Sequence, residues 1–270
     1  MTEPAVAAAV SPRLIAATLA TAEDIARVLR TRPDAAAPIP GAEWSVGEAA
    51  AHLAMANRLM ADLARGLDRP YGDGTPASLA AANAGSLAAD PERDPLVLAE
   101  AIVRHTRDFA EAAAGGPGAR LLDTPLGPMD LPTLASYLLT HMLGHGYDLA
   151  RALGQPHMVD RERVDLSLPF LRTAMPRVVD ARAAAGRHIR YAIGVRGGTL
   201  FGVTVDDGTV TVDQQAPRRP DCTIVTEPVT FFLMALGRRS PLQAVARGAL
   251  LAWGRRPWLA PAFPAFFTAP

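Results

Sequence analysis

Apolar residues recur at helical spacing from residue 12 to 31, where Leu14, Ile15, Leu19, Ile25, Val28 and Leu29 form one stripe. A Pro-rich break, "TRPDAAAPIPGAE", follows. Ser45 then stands three residues before Glu48, the pattern of a helix-opening capping box. It predicts a second helix through "VGEAAAHLAMANRLMADLARGL". A weaker helical pattern covers residues 76–89. A strong one covers "DPLVLAEAIVRHTRDFAEAAAG", with Gly115 and Gly116 as its stop. After the loop "GPGARLLDTPLGPMDLP", another helix is predicted from Thr133 to Leu153, with Gly154 suited to its C-terminal cap. Four main amphipathic helices joined by loops predict a four-helix bundle.

The period then changes. Residues 160–184 read as one more helix. "RHIRYAIGVRGGTLFGVTVDDGTVTVD" alternates apolar and polar residues around the turns "RGG" and "DDG", which predicts strands joined as hairpins. "PDCTIVTE" and "LLAWG" read as further strands; "PVTFFLMALG", "PLQAVARGA" and "WLAPAFPAFF" read as helices. The predicted organisation is a helical bundle over residues 1–158 and a smaller α+β domain over residues 159–270.

Composition narrows the function classes. Apolar residues make up 49% of the 270, enough for a sizeable core. Twenty-seven basic residues, all Arg, balance 27 acidic ones, so the chain lacks the basic surplus of a nucleic-acid footprint. No apolar run approaches the roughly 20 residues that span a bilayer. The N-terminal apolar run has no basic residue before it and follows the acidic Glu3, so no secretory signal is expected. Cys222 is the one cysteine, which excludes an intramolecular disulfide and fits a reducing, cytoplasmic setting.

Candidate chemistry lies in "LASYLLTHMLGHGYDLARALGQP", residues 134–156. His141 and His145 are four residues apart on one helix face, inside a run with Leu138, Leu139, Met142, Leu143 and Leu149. His52 sits between Ala49, Leu53 and Ala56 on the second helix. Singly, each reads as a hydrogen-bonded core histidine or a polar residue on a half-exposed face. Imidazoles on buried surfaces need partners, and one shared site on two bundle helices is the simpler account of all three. Three neutral imidazoles with an open fourth position make a catalytic zinc arrangement. A metalloprotease is not expected, because the position of its general-base Glu is Met142 here. His105 lies between Arg104 and Arg107 on a solvated face, and His157 and His188 fall at element boundaries. No Walker A, GxGxxG or GxSxG motif occurs.

Two stretches resemble a known family. "PGAEWSVGEAAAHLAMAN", with His52 eight residues after Trp44, and "THMLGHGYDLARALGQP" are similar to the signatures of the DinB-like, mycothiol-dependent maleylpyruvate isomerase family. Many mycothiol-dependent members carry Glu at the position of His141; this chain is similar there to the all-His wider superfamily. Residues 160–270 look like the sterol-carrier-protein-like domain often fused to these bundles. The resemblance implies Zn2+, or another divalent metal, held by His52, His141 and His145. It also implies mycothiol as thiol cofactor or cosubstrate and a small-molecule electrophile as substrate. The reaction would be a thiol-assisted isomerisation or an S-transfer, carried out by a monomer or homodimer without nucleic-acid or membrane partners. Asp148 is placed to accept from the His145 ring or to pair with Arg151. Trp44 reads as a packing anchor. Arg238, Arg239, Arg247, Arg255 and Arg256 are candidates for an anionic substrate or cofactor, Arg238 and Arg255 foremost. The competing expectation is a non-enzymatic protein that binds lipid or a hydrophobic metabolite, with a structural metal site; a thiol transferase of secondary metabolism is a third.

Overall fold

Ser45 starts the helix that the sequence predicts there. Its hydroxyl accepts from the Glu48 amide, and the Glu48 carboxylate accepts from the Ser45 amide. This reciprocal cap satisfies two backbone donors that a helix start leaves open and contributes about 1 kcal/mol. The computed structural model of the chain describes residues 9–115, 120–198 and 200–268. Glu3 and Gly116 lie outside them. The chain divides into two compact units, Met1–Val159 and Asp160–Pro270.

The first unit is built on helices α1 (Pro12–Thr31), α2 (Val46–Ala64), α3 (Pro76–Ala89), α4 (Pro95–Gly115) and α5 (Leu131–Ala152). α1 and α2 each pack against both α4 and α5, which makes the predicted four-helix bundle; α3 lies against α2. Ile25, Leu29, Leu53, Met60, Ile102, Phe109, Leu134 and Leu138 fill the core at under 2% exposure. Each contributes about 1.5–3 kcal/mol of burial.

The α5 helix begins two residues earlier than predicted. Asp130 caps it by accepting from the Thr133 amide, and Pro132 fits the first turn because its missing N–H needs no partner there. It ends at Gly154, as the sequence predicts. Gly154 has φ +65°, its amide donates to the Arg151 carbonyl and the Gln155 amide to that of Ala150. A small hairpin, β1 (Leu122–Thr124) and β2 (Gly127–Met129), lies in what reads as loop.

Residues 160–184 form two helices instead of one. α6 (Arg161–Ala174) gives way to a 3-10 turn at Met175–Arg177, where Pro176 withholds an amide; α7 (Ala181–Ala184) follows. The rest of the second unit is β3 (His188–Val195), β4 (Leu200–Asp206), β5 (Thr209–Asp213), β6 (Cys222–Thr226), α8 (Pro228–Ala235), α9 (Pro241–Ala246) and β7 (Leu250–Trp253). The strand order is β5-β4-β3-β6-β7, with β3 and β6 parallel and the other pairs antiparallel. The terminal helix is a 3-10 helix, Pro257–Phe266, because Pro261 and Pro264 interrupt α-helical bonding. Phe263 meets the fully buried Tyr191 edge-on, and Phe266 meets it at a tilt. Phe231, Phe232 and Leu233 are likewise core. Both apolar stretches, "PVTFFLMALG" and "WLAPAFPAFF", thus contribute side chains to the packing of this unit. No described helix is long and apolar enough to cross a membrane.

Candidate metal centre

α2 and α5 are neighbours, and their contact face carries all three predicted histidines. His52 is 5% exposed; His141 and His145, one turn apart on α5, are half-buried. The Nε2 atoms of His52 and His141 lie 3.0 Å apart. One ligand nitrogen from each of the three rings lies within 4.8 Å of the others, and the ring centroids are 4.7–4.9 Å apart pairwise.

Nitrogens sharing one tetrahedral zinc at bond lengths of 2.0–2.1 Å lie about 3.3 Å apart. His52 and His141 stand near that spacing and His145 within 4.8 Å of both, so ring rotations would bring the three to a common cation. Burial lowers the His52 pKa from its ordinary 6.5 to about 4. The ring is therefore neutral at pH 7, which leaves a nitrogen lone pair for a ligand. The donor set and its spacing fit a divalent metal; neutral imidazoles suit zinc, nickel and iron alike.

Aromatic rings border the three histidines. The Trp44 ring lies 5.0 Å from that of His52 and 6.0 Å from that of His145, only 22° from parallel with the latter. Tyr137 meets His141 edge-on at 6.1 Å. Burial raises the Tyr137 phenol far above its ordinary range, so it keeps its proton at any physiological pH. Trp44 is the residue whose place in the site the sequence did not reveal. Its loop position says nothing of neighbours set by tertiary structure.

The remaining predicted residues sit as follows. Asp148 is buried on α5, three residues after His145. The Arg151 guanidinium lies over the Tyr147 ring at 5.7 Å. Arg238 and Arg255 belong to the second unit and have local partners there. Arg238 donates to the Leu236 carbonyl, and Arg255 lies 3.7 Å from the Asp221 carboxylate with a side chain 62% exposed. Arg239 donates to the Thr230 hydroxyl. His105 is half-buried beside Asp108, and His188 pairs with Asp206. Cys222 is fully buried in β6, and burial raises its thiol pKa to about 11.

Comparison with curated proteins gives no match. Among solved structures, a histidine-to-alanine mutant of mycothiol-dependent maleylpyruvate isomerase is similar at 13% identity. The match covers 88% of this chain and 91% of that one, with a TM-score of 0.53, a likeness of fold. The mycothiol-dependent maleylpyruvate isomerase itself is 14% identical over 84% of this chain and 89% of that one, TM-score 0.47. An inverting sec-alkylsulfatase from Pseudomonas sp. is 16% identical over 52% of this chain, TM-score 0.32; the chain spans 24% of its length. The profile of the mycothiol maleylpyruvate isomerase N-terminal domain matches residues 15–150, half of the chain, from within α1 to the last turn of the histidine-bearing helix. The chain belongs to the mycothiol maleylpyruvate isomerase N-terminal domain family.

Proposed function

We propose that the protein is a metal-dependent enzyme that uses mycothiol as cofactor or cosubstrate, acting on an electrophilic small molecule as a maleylpyruvate isomerase-like enzyme or as an S-transferase. The observation that carries this reading is the convergence of His52, His141 and His145 within 4.8 Å. Membership of the family and the names of the similar structures supply the thiol.

His52, His141 and His145 would hold the metal, with zinc the first choice. Bound there, a divalent cation would supply the positive charge that turns a thiol of ordinary pKa about 8.5 into a thiolate near neutral pH. The chain's own groups prepare the place. His52 is kept neutral by burial. Tyr137 and Trp44 put apolar ring surface against the imidazoles in place of water. Asp148, one turn beyond His145, is the proposed acceptor that orients its ring. For an anionic group on substrate or cofactor, the proposed partners are Arg238 and Arg255; Arg255 is only loosely held by Asp221. The chain cannot supply the reacting thiol itself. Cys222 is buried, and its thiol is protonated at neutral pH. The reacting thiol would come from solution, and a reducing compartment such as the cytoplasm is the proposed setting.

The two reactions differ in the fate of sulfur. In the isomerase, the thiolate would add to one carbon of an activated C=C bond, the electron pair passing to the conjugated carbonyl; the resulting single bond rotates, and the pair returns to re-form C=C and expel the thiolate. In the transferase the neighbouring carbon takes a proton instead, and the C–S bond persists. Incubation with mycothiol and maleylpyruvate separates them. Unchanged substrate mass with altered double-bond geometry by NMR marks an isomerase, and a mass gain equal to the thiol marks a transferase. Turnover that proceeds equally well without mycothiol would refute the thiol reading.

A further inference from the structure

The structure assigns a role to Trp44, on the reading above that the site holds a divalent metal: we propose that Trp44 is a positioning residue. Its indole would fix the ring planes of His52 and His145 and close the solvent side of the coordination sphere.

The first observation is how firmly a loop residue is held. Trp44 precedes the Ser45 cap of α2, at the end of the Pro-rich segment. That segment folds back on itself through an antiparallel bridge between Pro38 and Ser45. The Ile39 amide donates to the Trp44 carbonyl at 2.9 Å, and the Val46 amide to the Ala37 carbonyl at 2.9 Å. The capping box then fixes the next residue. Ordering a loop costs backbone entropy of about 1–2 kcal/mol per residue, and here that order ends in the placement of one indole.

The second observation is what the indole touches. It makes ring contact with two of the three histidines, one on α2 and one on α5. Near-parallel stacking on His145 restricts rotation of that ring about its Cβ–Cγ bond, which would otherwise swing its nitrogen away from the shared centre. The tilted contact does the same for His52.

The third observation is where solvent reaches. His52 is 5% exposed, whereas His141, His145 and Trp44 are half-buried. The solvent-touching rings of the site are therefore those of His141, His145 and Trp44, while Tyr137 is buried against His141. Removing the indole would both loosen two ligands and admit extra water to the metal.

Cobalt(II) tests this in the full-length chain, because its visible absorption is strong in four-coordinate sites and weak when added waters raise the coordination number. Wild type, Trp44→Phe and Trp44→Ala are compared for Co2+ affinity, band intensity and the thermal midpoint of the metal-free protein. Loss of groups that orient metal ligands weakens affinity about 10–100-fold. That loss, with a collapsed visible band, is expected for Trp44→Ala, and Trp44→Phe should retain most of both. Wild-type affinity and spectrum in Trp44→Ala would overturn the proposal. So would a Trp44→Phe variant as impaired as Trp44→Ala while the metal-free midpoints fall in step, since that marks packing alone. Failure of wild type to take up Co2+ would overturn the metal reading and this proposal together, so the two failures are told apart by the wild-type titration.

Discussion

His52 on α2 and His141 on α5, 89 residues apart in sequence, face each other with their Nε2 atoms 3.0 Å apart. Neither element would place an imidazole in a bundle core for packing alone, since an apolar side chain of similar size costs nothing to desolvate. With His145 one turn away, the pair forms the candidate metal centre, bordered by the Trp44 and Tyr137 rings.

The close approach of α1 to α5 behind this centre depends on Gly146. A Cβ there would lie 2.9 Å from both Ile25 Cγ1 and Met158 Sδ. Gly146→Ala is therefore expected to destabilise the fold by about 1–3 kcal/mol, the usual cost of overpacking. The gain in helix propensity offsets at most about 1 kcal/mol of that. Urea unfolding checks it; a variant as stable as wild type would show that Ile25 and Met158 move aside freely.

The metal-free chain should lose stability in acid through His52. Burial lowers its folded-state pKa from 6.5 to about 4, so the unfolded chain takes up the proton first. The contribution is intact above about pH 6.5 and is lost progressively as pH falls to about 4, by up to about 3 kcal/mol. Unfolding of metal-free wild type and His52→Gln should diverge across that window. Parallel curves would show that another group dominates.

Cys222 is predicted to be chemically silent. Fully buried in β6 with its thiol pKa raised to about 11, it should resist alkylation in the native protein at pH 8 and react only on unfolding. Cys222→Ala should retain mycothiol-dependent turnover. Rapid native labelling together with loss of turnover in that variant would move the reacting sulfur into the chain.

What the sequence revealed, and what it hid, follows from the range of the interactions involved. Ser45 and Glu48, or Gly154 after α5, act within a few residues, so their signals survive in one dimension. The three histidines were legible because imidazoles are out of place among Leu and Ala on predicted inner faces. The β1–β2 hairpin was not, because three-residue strands show no period. The single helix expected at 160–184 failed at Pro176, where one ring outweighs the flanking propensity. Trp44 reads as an anchor in sequence. Its contact with His52 and His145 arises from the Pro38–Ser45 bridge, and no spacing rule encodes that.

The central claim is that three side chains share one cation, and metal content measures it most directly. Elemental mass spectrometry on the purified full-length chain should find close to one equivalent of a divalent metal, zinc foremost. His52→Ala should lack it and lose turnover at least about 100-fold. A wild-type chain free of metal, with a thermal midpoint moved neither by chelator nor by added zinc, would contradict the account.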